Sequence, residues 1–194
     1  MFPSWSSVRS FWSAALDAFY ARGLRMLGVT WSFSNRFAGS SGDGGGGLTD
    51  EGRALVARAR ALGIMLDVSH ASRDATLEIC KGATAPVIAS HSDAAALNEV
   101  PRNLSDEEIR CIAASGGVIG VNFHAPFVGG ARDVARVADH VEHFARTGGY
   151  EVVALGSDYD GMITTPAGLS HAGDLGALWA ELERRGWTEA QLAG

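Results

Sequence analysis

Apolar residues along this chain fall into two alternating patterns. Short runs are continuously aliphatic, and longer stretches carry an apolar side chain every three or four positions. Phe11, Ala15, Ala18 and Phe19 mark a helix over residues 8–22 that Gly23 closes. The run RMLGVT, residues 25–30, then predicts a buried strand. Thr49 stands as an N-cap, with Asp50 and Glu51 in the first turn of a helix that ends at Leu62-Gly63. Strands follow at residues 64–68 (IMLDV) and 86–90 (PVIAS), with a helix over 72–80 between them. Ser105 and Glu108 form a capping box that opens the next helix, and Gly116-Gly117 stops it. Residues 118–123 (VIGVNF) and 151–155 (EVVAL) are the fourth and fifth strands. Helices over 133–146 and 174–185 flank the fifth strand, and a short one starts at Thr188.

Five strands separated by helices imply parallel pairing through right-handed crossovers. Because the strands are apolar without alternation, both faces of the sheet should be covered. An open doubly wound sheet and a segment of a (β/α)8 barrel both satisfy this pattern, and periodicity does not separate them. Between the first strand and the second helix lies GSSGDGGGG, residues 39–47. Its composition predicts a mobile loop too flexible to pack. It lacks the GxGxxG and GxxxxGK[ST] contexts of a phosphate cradle.

Polar residues gather just beyond the C-terminal ends of the strands, where parallel α/β folds keep their chemistry. His70 follows IMLDV, His91 follows PVIAS, Asn122 and His124 end VIGVNF, and Asp158 and Asp160 follow EVVAL. His70 and His91 are one strand–helix unit apart, and neighbouring strands lie ~4.8 Å from each other. Two imidazoles so placed can converge on one zinc ion, with an aspartate two strands on as a further donor. A single buried histidine is more often a core or capping residue. Two histidines and an aspartate at matching strand ends bring the metal reading level with that one. Asp139, His140 and His143 lack the HExxH pattern and are expected to be structural. Asp160 and Gly161 are expected to shape a turn, and His171 to be solvated.

Composition narrows the rest. The chain has 194 residues, 46% of them hydrophobic, and a formal charge of −6. That is enough apolar material for a core and offers no basic footprint for nucleic acid. Cys80 and Cys111 are too distant in sequence for a CxxC zinc site, and both are expected as buried, reduced thiols. No signal peptide or membrane segment is apparent, which places the protein in the cytoplasm.

The blocks GLTDEGRALVARARALGIMLDVSHAS, APVIASHSDAAAL, PRNLSDEEI, GGVIGVNF, ADHVEH, ALGSDYDG and ELERRGWTEAQLAG resemble, in order, those of the membrane (renal-type) dipeptidase family, peptidase family M19. The resemblance implies a TIM-type (β/α)8 barrel whose mouth holds two zinc ions and hydrolyses dipeptides. Here it would be an incomplete barrel of about five βα units in a single domain spanning 1–194. By the same resemblance, His70 and His91 match zinc ligands, Arg102 the clamp on the substrate's terminal carboxylate, and Asp158 the catalytic acid–base. Trp31 stands where renal-type members carry a substrate-binding histidine, and Asn122 is a further substrate-binding candidate.

Two family features have no counterpart. The H-x-D pair of the opening strand is missing, since the only H-x-D here is His91-Ser92-Asp93 of the later block. The metal-bridging glutamate would fall near Ser4, but the first glutamate is Glu51. The expectation is therefore an N-terminally truncated dipeptidase that holds at most one zinc and is inactive, or nearly so, alone. A related amidohydrolase acting on another amide is the nearest alternative. The other is a non-catalytic interaction subunit, with open strand edges that favour homo-oligomers.

Overall fold

A computed structural model describes residues 14–193. The chain forms two compact units, residues 1–88 and 89–194. The first begins with a helix, α1, over residues 14–21; the part of the expected helix that precedes residue 14 lies outside the described residues. β1 (Met26–Gly28), α2 (Asp50–Ala61), β2 (Met65–Asp67) and α3 (Arg73–Lys81) follow. β3 (Val87–Ser92) runs from the first unit into the second, which adds α4 (Asp106–Ala114), β4 (Ile119–Val121), α5 (Ala125–Val128), α6 (Val134–Gly148), β5 (Val153–Leu155), α7 (Leu175–Arg184) and α8 (Glu189–Ala193). All pairings are parallel, in the order β1-β2-β3-β4-β5.

Local chemistry accounts for the helix starts. The Thr49 hydroxyl accepts from the Gly52 amide, Ser72 from Ala75, and Asp133 from Arg136. Ser105 and Glu108 cap each other's backbone in the reciprocal pattern expected of them. One face of each helix then closes on the sheet. Val56, Ala59, Ala75 and Ile79 are buried in the first unit, and Ile109, Ile112, Val137, Ala138, Val141, Phe144 and Leu178 in the second. Four strands are shorter than the apolar runs that announce them, whereas β3 continues two residues past its run, through His91 and Ser92. Val29, Val68 and Phe123 are buried just beyond the strand ends, where the Val68 amide still donates to the Ile88 carbonyl and the Phe123 amide to that of Ser157. No helix of the described residues is long and apolar enough to cross a membrane.

The glycine-rich loop does not behave as its composition suggests. Ala38, Gly39, Ser40 and Ser41 are buried. A Cβ on Gly39 would lie 1.8 Å from the Gly46 carbonyl oxygen, and one on Gly45 would lie 1.9 Å from the Ser34 hydroxyl. At Gly39, Gly42 and Gly45 the chain folds onto itself too closely for any side chain, whereas Gly44 and Gly46 face open space. Asp43 closes the loop by accepting from the Ser34 amide and hydroxyl at 2.8 and 2.6 Å. The cysteines also divide: Cys80 is buried, whereas Cys111, on the flank of α4, is partly exposed, and both are free thiols.

Candidate active site

In the first unit, the ends of β1 and β2 present Trp31 and His70. Trp31 is 67% exposed, and its ring meets the His70 imidazole edge-on at a centroid distance of 6.5 Å. His70 has a φ of 72°, a left-handed backbone that costs a non-glycine residue roughly 1–2 kcal/mol. Its carbonyl accepts from the Ser41 amide at 2.9 Å, and the hydroxyls of Ser40 and Ser41 approach the same oxygen at 3.1 and 3.2 Å.

In the second unit, β3 carries an irregularity where its chemistry begins. Ala89 pairs with Ile119 and Ser92 with Val121, so one extra residue is accommodated across Ser90 and His91. Such a bulge re-aims the side chains it contains. The Ser90 hydroxyl sits 2.8 Å from His91 Nδ1. The Ser90 carbonyl crowds two glycines, one in β4 and one just after β5: a Cβ at Gly120 or Gly156 would lie 2.1 or 1.9 Å from its oxygen. Arg102, on the loop after β3, donates from a terminal guanidinium nitrogen to the His91 carbonyl at 3.1 Å and stacks over Phe127 at 5.5 Å.

Asp158 follows β5 in another left-handed conformation, with φ of 63°, and Asp160 and Met162 repeat it at 64° and 60°. Three such residues in one short turn concentrate strain of the kind found at functional positions. Gly161 makes room for the Asp158 carboxylate, since a Cβ there would lie 2.4 Å from Oδ1. Asn122 is wholly buried and bridges two groups. Its oxygen accepts from the His124 amide, and its nitrogen donates to Asp158 Oδ2 at 3.3 Å. The first bond fixes the amide's orientation, and the second then points its donor at the carboxylate. His124 accepts from the Thr164 amide through Nδ1, at 3.2 Å, so its neutral ring carries the proton on Nε2. Burial lowers the His124 pKa; the Asp158 charge opposes that shift and Arg102 adds to it.

Beneath this layer lies a buried pair. Asp93 is fully enclosed, and burial pushes its carboxyl well above the usual range, against the pull of the Asn122 amide and of Arg102. His140 Nδ1 stands 3.9 Å from Asp93 and accepts from the Ala94 amide, while Nε2 donates to the Val128 carbonyl. Burial depresses the His140 pKa to about 4. Burial works against the charged form of both groups, and His140 Nδ1 is taken up by the Ala94 amide. Asp139, His140 and His143 of α6 therefore serve different partners: Asp139 pairs with Arg136 and Arg185, His140 pins the loop after β3, and His143 meets Asp106. His171 is exposed and caps the turn before α7.

The structure thus brings Asn122 and Asp158 together and ties Arg102 to the backbone of His91. It pairs Trp31 with His70 in the first unit. Among the described residues, no three His, Cys, Asp or Glu side chains stand close enough to hold a metal ion, and residues 1–13 contain none of these four types. The bulge, Gly120, Gly156 and the Asp93–His140 pair are features that sequence patterning did not single out.

The sequence model of the membrane dipeptidase family (peptidase family M19) matches residues 10–194. An uncharacterized protein from the pqqA 5′ region of Klebsiella pneumoniae is 39% identical over 190 residues, covering 91% of this chain and 70% of that protein. Dipeptidase verJ of Clonostachys rogersoniana is 36% identical over 177 residues, covering 89% of this chain and 46% of verJ. A metallo peptidase from Rhodobacter sphaeroides, solved with a phosphinate mimic of the dipeptide L-Ala-D-Ala, superposes with a TM-score of 0.84 at 35% identity. That match covers 92% of this chain and 54% of the Rhodobacter protein. An amidohydrolase from Pseudomonas aeruginosa superposes with a TM-score of 0.83 at 27% identity, covering 92% of this chain and 63% of its own. The chain therefore spans about half of verJ and of the Rhodobacter enzyme, and more of the others. The five parallel βα units are those of a TIM-type barrel, and the chain belongs to the membrane dipeptidase family, peptidase family M19.

Proposed function

We propose that this chain supplies the substrate-clamping and proton-handling half of a dipeptide-hydrolysing site. The observation that carries the proposal is Asp158, set on a strained turn and aimed by the Asn122 amide. A carboxylate held in this way is suited to take a proton from an attacking water and pass it to the leaving amine. Asn122 acts on the substrate through Asp158 rather than by direct contact. The Arg102 guanidinium is the group to hold the terminal carboxylate of a dipeptide, being forked and permanently charged. Trp31, beside His70 in the first unit, is the further substrate-binding candidate. L-Ala-D-Ala is the first substrate to try, because its mimic was bound to the Rhodobacter relative.

Zinc is the metal proposed for the family site, with His70 and His91 as ligands. Two imidazoles are fewer than the three protein ligands that catalytic zinc usually takes, and the described residues offer no group of three. They do not fit a resident ion without further donors. This same observation favours, as a second reading, a chain that is non-catalytic by itself. The purified 194-residue chain is expected to carry less than one zinc per chain and to leave L-Ala-D-Ala intact. Robust turnover would reject the claim that its ligands are insufficient. In a family protein with a complete ligand set and this sequence, Arg102→Ala should abolish the preference for a free terminal carboxylate. Full dipeptide turnover in that variant would instead favour the amidohydrolase alternative. Among the described residues β1 and β5 each pair on one side only, which supports self-association, testable by sedimentation at two concentrations.

A further inference from the structure

The loop between β1 and α2 has a role that its composition conceals. We propose that Ser40 and Ser41 are positioning residues that hold the His70 main chain left-handed and so aim its imidazole at the Trp31 ring. The inference rests on the assignment of His70 to the site, made above.

Three donors converge on a single acceptor. The Ser41 amide, the Ser40 hydroxyl and the Ser41 hydroxyl all lie within 2.9–3.2 Å of the His70 carbonyl oxygen. A carbonyl offers two lone pairs, so this oxygen is fully occupied and its peptide plane is fixed. Fixing that plane constrains ψ of His70, while its φ of 72° is one that L residues rarely adopt. Those two angles set the direction of the Cα–Cβ bond from which the imidazole starts, leaving it only its staggered rotamers. The Ser40 hydroxyl also lies 2.7 Å from the Trp31 carbonyl. It carries one proton, so it serves the two carbonyls alternately, and in either state it links the backbones of the two residues whose rings meet.

The clamp is itself anchored. Ser40 and Ser41 are buried, the Ser40 amide donates to Ser34, and Ser34 is bound in turn by Asp43. Two residues on, the Ser72 amide donates to the Gly39 carbonyl and its hydroxyl to the Gly46 carbonyl. His70 and Ser72 are thus both sewn to the same loop. A loop needed only to connect β1 to α2 would not require this convergence.

The test compares the wild-type chain with Ser40→Ala/Ser41→Ala, Ser41→Ala and Ser40→Thr. Imidazole nitrogen resonances are read by NMR, and carbethoxylation rates are read per histidine by mass spectrometry. In the double variant, the His70 resonances should shift and its modification rate change by about threefold or more, the effect of losing one neutral hydrogen bond. His171, exposed in the other unit, is the internal standard and should not move. Ser40→Thr keeps the hydroxyl and should restore the wild-type His70 signature, which a purely structural role would not require. If the double variant fails to fold by circular dichroism, Ser41→Ala decides, because it keeps the main-chain donor and loses one contact. Unchanged His70 resonances and rate in a folded variant would overturn the clamp. In a dipeptidase-active family protein that carries this loop, a His70→Ala variant with full activity would instead overturn the role of His70 and leave the clamp standing.

Discussion

Replacing Gly156 with alanine would put a methyl carbon 1.9 Å from the Ser90 carbonyl oxygen and 2.9 Å from its carbon. Real Cβ atoms do not approach closer than about 3.0 Å, so one side must retreat by at least 1.1 Å. Neither partner is the tip of a flexible side chain, because Ser90 offers its backbone and Gly120 lies behind at 3.0 Å. Overpacking against fixed backbone costs about 1–3 kcal/mol. At roughly 2–4 °C per kcal/mol for a chain of this size, the melting temperature should fall by roughly 2–12 °C. The same retreat displaces the bulge that holds His91, and a misplacement of ~1 Å is enough to lower turnover about a hundredfold where His91 is used. Gly176→Ala is the control. It sits in α7 with nothing within 4 Å of its Cβ, and alanine there should stabilise by ~0.4–1 kcal/mol. Differential scanning calorimetry of the three proteins reads both effects. A Gly156→Ala chain that melts with the wild type would refute the claim that the Ser90 carbonyl sets this site's geometry.

Other outcomes follow from the same geometry. His140 is depressed to about 4 in the folded chain, so unfolding takes up a proton as pH falls. Its contribution is whole above pH ~6.5 and is lost as pH drops toward 4, roughly 3 kcal/mol across that window. A His140→Gln chain whose urea midpoints lose as much between pH 7 and 4 would contradict this. Asn122→Asp puts a second carboxylate where a donor faced Asp158, and two carboxylates so close resist joint ionisation. In a dipeptidase-active protein, the acidic limb of the pH–rate profile should move upward and kcat should fall more than tenfold, roughly the contribution of one general acid–base. An unchanged profile would dismiss Asn122 as a positioning group. Arg102→Lys keeps the charge but loses the fork, so KM for dipeptides should rise about tenfold with kcat nearly constant. Equal KM values for the wild type and this variant would remove the bidentate clamp.

Much of the architecture was legible because its determinants are local. Thr49, Ser72, Ser105 and Asp133 cap the helices they precede, and each of the five aliphatic runs marks one of the five strands. The ends of the strands are less legible, because burial and strand pairing are different properties: Val29 is buried beyond the end of β1, and β3 runs on through the polar pair His91 and Ser92. α5, one turn long around Pro126, carries too few residues to show a period. The placement of Asn122 beside Asp158 was half legible. Both stand at strand ends, but only the backbone turn after β5 decides which way the carboxylate faces. The bulge in β3 was invisible, since a one-residue slip in pairing leaves no mark on composition. Gly120 reads as an ordinary strand residue and Gly156 as the residue after a strand; only the position of the Ser90 carbonyl shows why both are glycine. Cys111 occupies an apolar helical pattern and is still partly exposed, because that pattern runs to the rim of α4's buried face.

The packing of residues 39–47 has a genetic consequence. Surface loops rich in glycine ordinarily absorb insertions and deletions, and a run of four glycine codons is prone to gain or lose one during replication. Here the spacing is fixed at both ends. Gly39 and Gly46 each accept from Ser72, so a run shortened or lengthened by one glycine cannot satisfy both bonds. Tolerance should then vary residue by residue within what looks like a uniform stretch. Gly39, Gly42 and Gly45 would reject any side chain, Gly44 would resist one because its φ is 67°, and Gly46, with nothing within 4 Å of its Cβ, would accept alanine. Length, more than identity, is the property that selection has to hold constant there.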